Sequence, residues 1–182
     1  FSGENLTIIR NAWDDIKSAL ETTVRLINDY GVDRDSLTST NALMPIAYYL
    51  YKTGIRYSDT TVLAANNLPK AYSWLLKALL GKTFGGSSDN TISLSRSIIK
   101  ESLAESEGFP EQNLLIGLKK HSQLDFTDSS VLSELLDIGY KDSSCFLALS
   151  LLYDDKRWGT SNYHIDHIFP QKDLSEAKLL TT

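Results

Sequence analysis

The sequence predicts a mainly α fold, a multi-helix bundle that runs into a short extended segment near its C-terminal end. Three observations carry that expectation. Apolar residues recur at steps of three and four over long stretches, turn and capping residues punctuate those stretches, and nothing before residue 160 alternates with period two for long enough to make a strand.

The first stretch is the clearest. Leu6, Ile9, Trp13, Ile16, Leu20, Val24, Ile27 and Tyr30 fall on one helical face. The spacing predicts one helix from about Leu6 to Tyr30, the longest of the chain, burying Trp13, Ile16 and Leu20. Gly31 suits the left-handed position that closes it. A loop to about Thr40 precedes a dense apolar and aromatic stretch, Asn41 to Tyr51, whose Pro45 fits a first helical turn.

Pro69 is then expected at a helix start, with Ala71 to Leu80 carrying that helix to Gly81. The run Gly81 to Asn90 is the most turn-rich of the chain. It lacks the Gly-Lys-Ser/Thr ending and the preceding strand of a phosphate-cradling loop, so it is expected to be an exposed connection. Further helices are predicted at Thr91 to Glu105, Pro110 to Lys120, Asp128 to Ile138 and Asp142 to Tyr153, with Asp128 and Asp142 as N-caps.

Composition narrows the class. Of 182 residues, 42% are hydrophobic and 23% charged, as in ordinary globular chains. The single cysteine, Cys145, rules out an intrachain disulfide and a cysteine zinc site, and fits a cytoplasmic setting. Its apolar run, Cys145 to Tyr153, falls short of the roughly 17 to 25 residues that span a bilayer, so it predicts a core helix and no membrane partner. Phe1 in place of Met, with no signal-peptide pattern, is what a chain cut from a longer one would show.

The net charge is −5, from 23 acidic and 18 basic residues, which argues against a broad phosphate-gripping surface. Asp14, Asp15, Asp33, Asp35, Glu101, Glu105 and Glu107 are dispersed and read as solvated helix faces. The aromatic residues Tyr48, Tyr49, Tyr51, Tyr72 and Trp74 read as core, with a partner surface as the alternative.

One stretch carries chemistry. Asn162-Tyr163-His164-Ile165-Asp166-His167-Ile168-Phe169-Pro170-Gln171 holds two of the three histidines and reads as a short strand stopped by a proline. Asp166 and His167 side by side offer a hard oxygen ligand for a divalent cation and a base that works near neutral pH. The bland alternative makes His167 a structural turn residue and leaves His164 in solvent. His121, after Lys119 and Lys120, reads as favourable charge at a helix C-terminus.

The string Ile165 to Gln171 resembles the opening motif of HNH, or ββα-metal, nucleases, a pattern also seen in RNA-guided CRISPR nucleases. The resemblance implies Asp166 as ligand to Mg²⁺ or Mn²⁺ and His167 as general base, and assigns His164 no role. Ala71 to Leu80, with Gly85-Gly86-Ser87-Ser88-Asp89, is similar to the helical middle of GmrSD-type modification-dependent restriction endonucleases. That family places a ParB-like nucleotide-hydrolysing domain first, then helices, then a C-terminal HNH domain, and cleaves foreign, often modified, phage DNA.

The resemblance implies a helical domain over 1–158 and a truncated HNH motif over 159–182. The ParB-like domain is absent. The motif's later Asn and its further His or Asn are missing too, since none of the fifteen residues after His167 is either. The resemblance therefore implies a DNA-cutting parent, with this piece binding no metal, holding DNA weakly and inactive alone. The other class in play is a non-catalytic helical interaction or scaffold module.

Overall fold

The computed structural model describes residues 3–153 apart from Asp35, Ser87, Ser130, Tyr140, Lys141 and Ser143. Eight α-helices lie among the described residues, and no strand does. They are α1 (Gly3–Asn11), α2 (Trp13–Asp29), α3 (Leu43–Thr53), α4 (Val62–Leu80), α5 (Asp89–Glu105), α6 (Glu111–Gly117), α7 (Val131–Leu136) and α8 (Cys145–Leu152). The mainly α expectation holds. No helix among them is long and apolar enough to cross a membrane.

The expected first helix is two, separated by a turn at Ala12, and α4 with 19 residues is longer than either. Its expected core residues are corrected as well. Trp13 is 55% exposed and Leu20 41%, while Ile16 is half-buried. The buried face of α2 is Ala19, Thr22, Thr23, Leu26 and Ile27. Small side chains let α2 come close to α3 and α4, and both threonine hydroxyls have partners in that tight space. Thr23 Oγ1 donates to the Ala19 carbonyl at 2.8 Å, and Thr22 Oγ1 accepts from the Tyr57 amide at 3.2 Å. A side chain's bulk told less about the buried side than its fit. Gly31 does close α2, at φ 77°.

A 3₁₀ turn at Thr40–Ala42 leads into α3, whose third residue is Pro45, as expected of a first turn. Ile46, Tyr49 and Leu50 are fully buried between α2 and α5.

Pro69 departs from expectation. It sits inside α4, which starts a full two turns earlier at a cap where Thr61 Oγ1 accepts from the Ala64 amide at 3.2 Å. Pro69 gives no amide hydrogen to the Ala65 carbonyl, but Ala65 is exposed and water can take that place. Burial of Ala64 and Asn67 before the proline, and of Ala71, Tyr72, Trp74 and Leu75 after it, holds the two halves in one helix.

An aromatic chain fills the centre of the bundle. Tyr49 meets Phe109 edge-on at 5.1 Å, Phe109 lies 5.9 Å from Trp74, and Trp74 meets Phe84 edge-on at 6.1 Å. Such edge contacts are favoured over face-to-face sandwiches by the ring quadrupoles. To one side Tyr30 stacks on Tyr72 at 3.9 Å, joining the end of α2 to α4. The core reading of Tyr49, Tyr72 and Trp74 is correct, all three being buried.

The connection from Gly81 is less exposed than expected. Thr83, Phe84 and Ser88 are buried, and Ser39 Oγ donates to the Phe84 carbonyl at 3.1 Å. Helices α5 and α6 pack closely because Gly117 has no side chain: a Cβ there would lie 2.5 Å from Ile98 Cδ1. The last two expected helices are shorter than predicted. Asp142 accepts from the Ser144 amide at 2.8 Å, a local turn just before α8, whose N-cap is Ser144 without a side-chain bond. Asp128 likewise stands three residues ahead of α7.

Candidate functional site

Asp166, His167 and His164 lie outside the described residues, as does the 158/159 boundary. What the fold shows is the element that leads toward them. The apolar run around Cys145 is a core helix, as expected: α8 buries Leu147, Ala148 and Ser150 and packs on α4. Phe146 and Leu151 lie partly buried beside it. Leu152 and Tyr153 are exposed, so the chain reaches residue 153 at the surface. Burial pushes the Cys145 thiol up, with the Asp142 carboxylate adding to it.

Other polar arrangements among the described residues join separate parts of the fold. Lys77 Nζ donates to Glu111 Oε1 at 2.5 Å, and Ser73 Oγ donates to the same oxygen at 3.1 Å. Both charged side chains are mostly buried, and the cluster pins α6 to α4. Nothing periodic marks Lys77 and Glu111 in the sequence, since their partnership spans 34 positions.

On the surface, Lys119 Nζ lies 2.5 Å from Asp125 Oδ2. The hydrogen bond from Lys119, then that from Thr127, holds the Asp125 carboxyl at about 2. His121 lies in the 3₁₀ turn Lys119–His121 that follows α6, its Nδ1 3.3 Å from Thr91 Oγ1. It ends a basic turn, as its place after two lysines suggested.

Surface grooves lie among the described residues as well. One of about 260 Å³ lies between the end of α2 and α4, lined by Asp29, Tyr30, Tyr57, Asp59 and Leu68. The Tyr57 hydroxyl donates to Asp29 there. The other, about 350 Å³, runs between α3 and α5 past Tyr48, Lys52, Lys100 and Glu107. Lys52 sits over the Tyr48 and Tyr51 rings at 5.8 and 5.5 Å. Both charges occur in that groove, two lysines against one glutamate.

Among the described residues no group of three or more His, Cys, Asp or Glu side chains could hold a metal ion. Asp14, Asp15, Glu101 and Glu105 lie on the solvated helix faces expected of them; Asp33 and Glu107 are exposed too but stand between helices, Asp33 accepting from the Ser36 amide and hydroxyl, and Asp35 lies outside the described residues. No family model and no curated protein matches the chain.

Proposed function

We propose that the chain belongs to a metal-dependent HNH endonuclease of the restriction type, acting on DNA in the cytoplasm as a phage defence, with residues 1–158 as the helical domain that carries the nuclease motif. The single observation behind this reading is the sequence Ile165-Asp166-His167-Ile168-Phe169-Pro170-Gln171. Asp166 would ligate Mg²⁺ or Mn²⁺, and His167 would take a proton from the attacking water. A divalent ion would supply charge stabilisation at the scissile phosphate.

The donor set fits that ion in kind, since a carboxylate is a hard oxygen ligand, and falls short in number. Residues 168–182 add no His or Asn. The proposal therefore has the 182-residue chain inactive alone, with further ligands coming from outside it. The acidic residues spread over exposed faces support a DNA grip that lies elsewhere in the parent.

Nuclease assays over a Mg²⁺ and Mn²⁺ titration test this on the chain, its full-length parent and two parent variants. The chain should not cleave DNA and the parent should. In the parent, His167→Ala should slow cleavage by roughly 10²- to 10⁴-fold with the helical circular dichroism unchanged, and Asp166→Ala should raise the metal requirement. Metal-dependent cleavage by the chain alone would overturn the missing-ligand argument. An unimpaired His167→Ala parent would overturn the base assignment.

A second reading, a non-catalytic helical interaction or scaffold module, is favoured by one observation: the apolar residues that α1 and α2 leave in solvent. An inactive parent would select it.

A further inference from the structure

Helices α1 and α2 expose Leu6, Ile9, Trp13, Leu20 and Val24 at 39–55% of their surface, with Ile8 beside them at 61%. Ile16, half-buried, continues the row. None of the residues of α1 is buried. Across the turn at Ala12 the backbone ladder persists, with Ala12 N donating to Ile8 O at 3.1 Å and Ile16 N to Ala12 O at 3.0 Å. The two helices therefore present one stripe from Leu6 to Val24; beyond Val24 the same row turns inward at Ile27, which α2 buries with Ala19, Thr22, Thr23 and Leu26.

We infer that this stripe pairs with the same stripe of a second copy of the chain. Area is the first argument. The exposed parts of Leu6, Ile9, Trp13, Leu20 and Val24 come to on the order of 500 Å², a large patch for a monomer, and pairing two copies would bury about 1,000 Å² in all, the lower bound of a specific interface. Spacing is the second. Leu6, Ile9, Trp13, Ile16 and Leu20 step by three and four, the seam that two helices use to interlock.

Self-complementarity, which a two-fold pair demands, is the third. Laid antiparallel, Trp13 falls beside Ile16 of the second copy and Ile9 beside its Leu20, with Leu6 and the copy's Val24 one residue out of that register, and each match is reciprocal. The polar edge of the stripe alternates in sign through Arg10, Asp14, Lys17 and Glu21, with Lys17 and Glu21 3.8 Å apart in the same helix. No block of like charge therefore opposes the approach of a copy.

Sedimentation of the 182-residue chain between about 1 and 100 µM tests the pairing. The chain should pass from monomer to dimer in that range. Trp13→Glu and Leu20→Glu, each at an exposed site, should weaken association by at least roughly tenfold while leaving the helical circular dichroism unchanged. A monomer throughout would overturn the inference, and so would variants that associate like the parent chain. A monomer whose Trp13 is shielded from iodide quenching, judged against Trp13→Phe, would overturn it too, by showing that another part of the chain covers the stripe.

Discussion

Tyr49 on α3 donates its hydroxyl hydrogen to the main-chain carbonyl of Glu107, 2.7 Å away, and so ties α3 to the turn that closes α5. The ring itself is fully buried against Phe109. Burial, and after it the charge on Glu107, pushes the phenol up from 10 to about 12.

That shift sets the direction of an alkaline effect. The unfolded chain releases the Tyr49 proton near its ordinary value and the folded chain only near 12. The stabilisation is therefore complete below pH 10 and is lost as pH rises toward 12, at about 1.4 kcal/mol per pH unit. Urea unfolding at pH 9 and pH 11 should show the wild type losing about 1 kcal/mol more than Tyr49→Phe. Equal losses would mean that Tyr49 titrates normally in the fold.

The ion pair of Lys77 and Glu111 should behave asymmetrically. Lys77→Met removes one partner and leaves a mostly buried carboxylate with Ser73 alone. Because the pair keeps some solvent contact, the cost should be about 2 kcal/mol, below the 3–5 kcal/mol of fully buried pairs. Replacing both, Lys77→Met with Glu111→Leu, should restore most of it. A double variant as unstable as the sum of the singles would show that the two charges are not coupled.

Two substitutions on α4 separate core from surface. Leu75 is fully buried, and Leu75→Ala should cost about 2–5 kcal/mol in a thermal or urea melt. Val62, 77% exposed at the start of the same helix, should tolerate Val62→Ala within about 0.5 kcal/mol. Similar costs at the two positions would misplace the core.

The helices were legible because each part of the signal was local. Period and Gly31 lie within a few positions of the structure they specify, whereas the expected caps Asp128 and Asp142 each stand three residues ahead of the first residue of α7 and α8. The buried side of α2 was not legible in that way. A helix with two apolar faces shows the same period for each, and only its neighbours decide that Ala19 and Thr23 go in while Trp13 stays out. Pro69 misled for a related reason: a proline's usual place at a helix start is a local preference, and burial on both sides of it outweighed that preference. For Asp166 and His167 the signal is entirely one of neighbouring residue types, and the described fold adds only α8, the helix that precedes them.

The side chain of Asn67 accepts from the Phe109 amide at 2.8 Å through Oδ1 and donates to the Leu63 carbonyl at 2.8 Å through Nδ2. The first of these bonds closes a loop of 42 residues. Residues of α2 and α3 lie nearer in sequence, 14 positions apart where α2 ends and α3 begins, but loop-closure entropy grows slowly, so the two demands differ by about 1 kcal/mol at most. Asn67 thus acts as a clasp across sequence: its bond to Phe109 exists only where α4, all of α5 and the segment beyond it have converged.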